Sequence, residues 1–178
     1  APDSHFLTDR TDQAIAWSQY EKAPPPDRPL FLYCAPGATP APHHGPKPWI
    51  EKYRGKFDQC WDALRDEILA RQIELGVVPE GTQLAPKPEL IQEWDELSDD
   101  EKRLFGHQVE VFAAYIAMTD YEIGRVIDAL AATGQLDKTL VFLIYADNGT
   151  SAERGLNGLF SEMTYFNNVQ ETVPDIME

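Results

Sequence analysis

The chain has 178 residues, of which 43% are apolar and 25% charged, which suits one globular domain with a sizeable core. Its formal net charge of −15 at pH 7 argues against nucleic acid and anionic membrane surfaces as partners, because both attract basic proteins. Two cysteines without a CxxC pair give neither a disulfide framework nor a zinc motif, and no apolar run reaches membrane-spanning length.

Helical periods and capping residues predict four helices, at 12–22, about 49–53, about 58–75 and from 98 to about 132. The first has Thr8 or Thr11 as its expected N-cap. Gly76 and Gly134 are expected to end the two longer helices, and Ser98 with Glu101 forms a capping box. The excursion at 77–97 is rich in proline and reads as extended surface.

Two compact apolar runs predict buried strands, at 29–33 and 139–146. The order helix, strand, helices, strand predicts an α/β fold, with helices packed on a mostly parallel sheet. Functional groups in such folds collect at the carboxyl ends of strands. The loops at 35–48 and 147–150 both follow a predicted strand, so we expect the chemistry there.

Asp147-Asn148-Gly149 follows the second predicted strand directly. A carboxylate and an amide oxygen side by side are hard ligands that suit Ca²⁺ or Mg²⁺, and Gly149 allows a sharp turn. Two alternatives remain for the same residues. Asp-Asn-Gly is a common turn sequence, and Asn148-Gly-Thr150 is a glycosylation sequon.

His43 and His44 are adjacent in the proline-rich loop. Their imidazoles could act as general acid, as donors to a phosphate or sulfate, or as metal ligands; the alternative is a solvated loop pair. His5 reads as incidental and His107 as a surface residue of the long helix. Cys34-Ala-Pro-Gly-Ala38 begins like C-x-P-x-R, but Ala38 replaces the arginine, which favours a buried strand-end thiol for Cys34.

Longer stretches carry a family resemblance: 31–58, 61–67 with 70–71, 110–115 with 120–128, and 136–149. They resemble the central segment of bacterial arylsulfatases, which are type I sulfatases of the alkaline-phosphatase-like superfamily. The resemblance implies an α/β sandwich and hydrolysis of sulfate esters by a formylglycine nucleophile. It also implies a Ca²⁺ ion (Mg²⁺ less so), with Asp147 and Asn148 matching two metal ligands of the family.

The departures from the family pattern are equally specific. Pro40 stands where the family usually has a sulfate-contacting histidine, and His43 or His44 would have to substitute. The formylglycine motif and the other metal carboxylates lie N-terminal to this region in the family, and a further active-site lysine lies C-terminal to it. We therefore expect residues 1–178 to form the central part of a sulfatase domain that is inactive alone.

That expectation has a structural consequence and two competitors. Strand 139–146 without its neighbours would expose its edges, so we expect self-association or completion by missing segments. One competing hypothesis is a phosphate or phosphonate ester hydrolase of the same superfamily. The other is a non-catalytic relic or interaction module, which Pro40 and the missing nucleophile favour.

Overall fold

The computed structural model describes residues 5–20, 29–39, 43–145, 157–159 and 161–177. The helices in these ranges are α1 (Phe6–Tyr20), α2 (Lys47–Ile50), α3 (Trp61–Glu74), α4 (Asp99–Ala132), α5 (Glu162–Phe166) and α6 (Val173–Met177). Short 3₁₀ turns lie at Glu51–Tyr53, Trp94–Glu96 and Leu136–Lys138. Of the helices described, none combines the length and the apolarity needed to cross a membrane.

The described residues divide between two compact units. The first draws on Ala1–Ile50 and Phe112–Thr150, and the second on Glu51–Val111 and Ser151–Glu178. Helix α4 contributes residues to both units.

Helix α4 begins and ends where the sequence predicts. The Ser98 amide donates to Glu101 Oε2 at 2.8 Å, and the Glu101 amide donates to Ser98 Oγ at 3.3 Å, which is the expected capping box. Hydrogen bonds from Ser98 hold the pKa of the Glu101 carboxyl below its usual value, and the bond from the hydroxyl has a larger effect than the bond from the amide. Gly134 has φ +67° at the other end. The predicted start and end of α4 are both confirmed. Each depends only on residues that are neighbours in sequence.

Helix α1 corrects the predicted start. It begins at Phe6, so Thr8 and Thr11 lie inside it and cap nothing. The Leu7 amide instead donates to His5 Nδ1 at 3.2 Å, which places an imidazole at the N-cap. Thr8 Oγ1 donates to Glu122 Oε1 at 2.8 Å. The hydroxyl that was expected to cap the helix is used in tertiary packing.

Helix α3 shows one cap of an unexpected type. Cys60 Sγ accepts a hydrogen bond from the Ala63 amide at 3.3 Å, so a thiol replaces the usual hydroxyl or carboxylate. At the other end Gly76 has φ +70°, as its predicted role at the helix C-terminus requires. The nearby Val77 amide donates to the Gln72 carbonyl at 2.8 Å.

The second unit is built around aromatic side chains and one lysine. Trp61 packs on Trp94 and Phe105, with ring centroids 5.0 and 5.9 Å away. Lys87 Nζ lies 2.7 Å from a Glu93 oxygen and 3.1 Å from an Asp62 oxygen. These contacts hold the irregular excursion 77–97 against α3. The excursion is irregular rather than extended throughout, with a 3₁₀ turn at Trp94–Glu96, and its predicted surface position is confirmed for most of its residues.

The first unit has a small core formed by Leu7, Tyr115 and Met118, with Ala38 and Trp49 packed against it. An ionic network extends this packing. Glu122 is buried and accepts from Arg125 at 2.6 Å, while the same guanidinium lies 2.5 Å from an Asp12 oxygen. The network ties α1 to α4.

The two predicted strands are corrected by the structure. Over 29–33 and 139–145 the chain forms no β-strand, and residue 146 lies outside the described ranges. The side chains of Phe31, Tyr33 and all of Leu140–Tyr145 are exposed. A strand exists only when its amides and carbonyls find a partner strand, and the described residues supply none here. The expected parallel sheet is therefore absent from the described part of the chain.

Candidate functional site

The histidine loop, residues 34–46, is described at 34–39 and 43–46. Its first half is fixed to α4 by one long-range hydrogen bond. The Tyr115 hydroxyl donates to the Gly37 carbonyl at 2.9 Å, and the neighbouring Ala38 packs against the core of the first unit. Tyr115 is 6% exposed, and burial raises the pKa of its hydroxyl. The phenol, which is protonated at neutral pH even when exposed, is thus a donor over a still wider pH range.

The structure separates the two candidate histidines. The His43 ring packs edge-on against Phe112 and Tyr115, with centroid distances of 5.5 and 6.4 Å. His44 is exposed, and its backbone carbonyl is the group that makes a long-range contact. The described geometry thus brings His43, rather than His44, onto the surface of α4.

His5 is the residue that the sequence reading missed. Its Nε2 donates to the His44 carbonyl at 2.6 Å, while its Nδ1 accepts from the Leu7 amide. Because a carbonyl only accepts and an amide N–H only donates, these partners require the neutral Nε2–H tautomer. The signal available in the sequence was a polar residue directly ahead of a helix.

Cys34 corrects another prediction. Its thiol is free and exposed, not buried at the end of a strand. The reason is the one that applies to 29–33: the sheet that would have covered the thiol is not formed in the described ranges.

A pocket of about 330 Å³ lies between α1, α4 and residues 32–36. Arg10 and Glu122 are the charged residues of its wall, which is otherwise mainly apolar. Glu122 is engaged by Thr8 and Arg125. We place the candidate site at the histidine loop, because this loop follows the first predicted strand and carries the candidate histidines.

Comparisons with known proteins give the family. The Sulfatase family profile matches residues 2–174. An arylsulfatase of Klebsiella aerogenes is 31% identical over 154 residues, which cover 86% of this chain and 32% of that protein. An uncharacterized sulfatase of Schizosaccharomyces pombe is 40% identical over 121 residues, which cover 67% of this chain and 22% of that protein.

The chain belongs to the sulfatase family.

Sulfatases have the alkaline-phosphatase-like α/β fold, and they generally use a metal ion and a formylglycine. This chain spans between about a fifth and a third of the length of the two relatives described above. The family sheet thus remains an expectation, since the described residues contain helices and irregular segments.

The sequence-predicted metal ligands Asp147 and Asn148 lie outside the described residues, and so does Pro40. Among the residues that are described, no group of three or more histidine, cysteine, aspartate or glutamate side chains could hold a metal ion. The metal assignment consequently depends on donor chemistry. A carboxylate beside an amide oxygen is a hard oxygen set, which fits Ca²⁺ and poorly fits a soft metal.

Proposed function

We propose that the protein carrying this chain hydrolyses sulfate esters, with Ca²⁺ as its metal and with aryl sulfates among its substrates. The observation that carries the proposal is the family match across residues 2–174, with Asp147-Asn148-Gly149 at the end of an apolar run. The arylsulfatase relative supports the substrate class. The nucleophile would be a formylglycine outside residues 1–178.

Asp147 and Asn148 are the proposed metal ligands from this chain. Asp147 would supply carboxylate oxygens and Asn148 its amide oxygen. The ion would offset the negative charge of the sulfate, which is electrostatic stabilisation of the transition state. Two ligands alone bind Ca²⁺ weakly, because affinity follows ligand number and charge. The isolated chain should accordingly be inactive.

His43 is the side chain we propose for the role that Pro40 cannot fill. A proline has no side-chain donor, whereas an imidazolium can donate to a sulfate oxygen or protonate the departing phenoxide. His43 is favoured over His44 because its ring is packed on α4. Packing restricts the rotamers of a side chain, and restricted groups are better placed for catalysis.

The test uses the full-length gene product, with a chromogenic aryl sulfate and the matching aryl phosphate as substrates. We expect turnover of the sulfate that is lost on chelation and restored by Ca²⁺. Preferential turnover of the phosphate would instead support a phosphate ester hydrolase of the same superfamily. Turnover of neither substrate by metal-loaded protein would support a non-catalytic relic.

Asp147→Ala should lower kcat/KM by about 10²–10³-fold, the usual cost of removing one electrostatic contributor to the transition state. It should also weaken Ca²⁺ binding in a calorimetric titration, a readout that does not require activity. Asp137→Ala is the matched control, because Asp137 is an exposed carboxylate in a 3₁₀ turn of the same unit. Equal calcium affinity in the two variants would remove Asp147 from the metal site.

The histidine assignment is tested with adjacent residues. His43→Phe keeps an aromatic ring against Phe112 but removes the nitrogen donors, and we expect it to lower kcat by about 10²-fold, as loss of a general acid does. His44→Ala should change kcat less than about twofold, since its side chain is exposed. Pro40→His asks the converse question. A large gain in kcat would mean that no other residue fills the family position.

A further inference from the structure

We propose that Tyr115 is a positioning residue for the sulfatase reaction, acting through the histidine loop: its hydroxyl fixes Gly37 while its ring supports His43. The proposal rests on the proposed function, because it needs the histidine loop to lie at the substrate. Tyr115 touches neither substrate nor metal in this scheme. It sets where the loop holds His43.

Tyr115 is itself held rigidly. It lies in the interior of α4, next to Ala114, which is fully buried, and one turn before Met118, which is 3% exposed. Leu7 of α1 completes the cluster around it. A buried side chain on a long helix has its backbone and rotamer fixed by packing. Tyr115 is therefore a fixed reference point for an irregular loop.

The Tyr115 hydroxyl fixes the first half of the loop. It donates at 2.9 Å to the Gly37 carbonyl, 78 residues away in sequence. Gly37 lies in a segment without regular structure, where no strand or helix in the described ranges fixes the backbone. A single hydrogen bond from a buried donor can set the position of such a segment. A tyrosine phenol is protonated at neutral pH and burial raises its pKa further, so this hydroxyl remains a donor there.

The Tyr115 ring supports His43 in the second half of the loop. Tyr115 and Phe112 are one helical turn apart, and the His43 ring meets both edge-on at interplanar angles of 68° and 75°. Edge-to-face aromatic pairs are directional, so they orient the imidazole as well as hold it. Gly37 and His43 flank position 40 in sequence, where the family usually has its sulfate-contacting histidine. One residue, Tyr115, thus contacts the histidine loop on both sides of that position.

His5 holds the loop at the residue that follows His43. His5 Nε2 donates to the carbonyl of His44, and the His5 ring lies 6.3 Å from that of Tyr115. The loop is consequently held at Gly37, His43 and His44. Tyr115 makes two of these three contacts and its ring also lies against His5, which is why we assign the positioning role to it rather than to His5.

The experiment is steady-state kinetics on the metal-loaded full-length protein with an aryl sulfate. Tyr115→Phe retains the ring but loses the hydrogen bond to Gly37. Because small displacements of a catalytic group slow the chemical step, we expect kcat to fall by about tenfold, with KM changed less than about twofold. Tyr121→Phe is the matched control, since Tyr121 lies on the same helix, is exposed, and packs its ring on Trp49. It should leave kcat unchanged.

A second readout separates positioning from general destabilisation. The His43 imidazole proton resonances sense the ring currents of Phe112 and Tyr115, and they should shift in Tyr115→Phe but not in Tyr121→Phe. A lower Tm with unchanged kcat and unchanged His43 resonances would reduce Tyr115 to a packing residue and overturn the assignment. A wild-type protein without sulfatase turnover overturns the proposed function and this assignment together. An active wild type with an equally active Tyr115→Phe overturns this assignment alone.

Discussion

Two apolar stretches of the first unit meet very different fates. The α4 stretch from Phe112 to Leu130 buries Tyr115, Met118 and Leu130, whereas every side chain of the run Leu140–Tyr145 is exposed. The exposed run is the more continuously apolar of the two. A helix satisfies its own backbone hydrogen bonds and needs only a surface to pack on. A strand needs another strand, so hydrophobicity by itself does not secure burial.

The sharpest test of this comparison is a pair of truncations in the 178-residue chain. Met118→Ala should lower the free energy of unfolding by about 2–5 kcal/mol, because it opens a cavity in a small core. Ile144→Ala should change it by less than about 0.5 kcal/mol, since Ile144 is 85% exposed. Denaturant titration at matched concentration measures both. Similar losses would mean that the exposed run is buried in solution.

Disruption of the ionic network between α1 and α4 should give the second largest loss in the free energy of unfolding. Glu122 is 3% exposed and accepts hydrogen bonds from Thr8 and Arg125, so Glu122→Ala removes the acceptor of both donors. We expect a loss of about 1–3 kcal/mol, the usual net contribution of hydrogen bonds to a charged group. Arg125 keeps Asp12, which limits the loss. Glu80→Ala, at an exposed carboxylate, is the control and should be neutral.

The capping box of α4 should give a smaller effect that depends on pH. Ser98→Ala should cost about 1 kcal/mol at neutral pH, as loss of an N-cap does. Because hydrogen bonds to Ser98 lower the pKa of Glu101 in the folded state, their stabilisation is present above the unfolded pKa and fades as pH falls through the folded value. The difference in the free energy of unfolding between wild type and Ser98→Ala should therefore become smaller in acid. Hydrogen exchange of the amides in the first turn of α4 measures this difference as a function of pH.

The smallest effect on unfolding should accompany the largest effect on association. Ile144→Lys should be nearly neutral for the stability of the monomer, because the side chain is exposed. An unpaired apolar segment invites pairing with another chain, and a lysine there opposes it. Sedimentation should show concentration-dependent association of the 178-residue chain that the variant loses. A wild-type chain that stays monomeric at micromolar concentration would contradict the self-association we expect.

The residues that could be predicted from sequence are those with local partners. Ser98 and Glu101 are three residues apart, and Gly76 and Gly134 act at their own helix ends. A local signal is complete within the window in which it is read. The helices α3 and α4 were consequently found close to their true bounds.

The residues that could not be predicted have distant partners. Tyr115 bonds to Gly37 across 78 positions, and His5 bonds to His44 across 39. No periodicity in the sequence reports such a contact. Thr8 was predicted as a cap because the start of α1 at Phe6 was not recognised, and its hydroxyl donates to Glu122, 114 positions away. The strands failed because apolar runs predict burial, whereas pairing depends on a partner that the pattern does not name.

The two thiols of the chain differ in a way that makes one of them a convenient handle. Cys34 is exposed at the start of the histidine loop, whereas Cys60 is partly buried and its sulfur accepts a hydrogen bond from the first turn of α3. A maleimide dye should therefore modify Cys34 first. Its emission would then report the surroundings of the histidine loop, and the slower labelling of Cys60 would report fraying of α3.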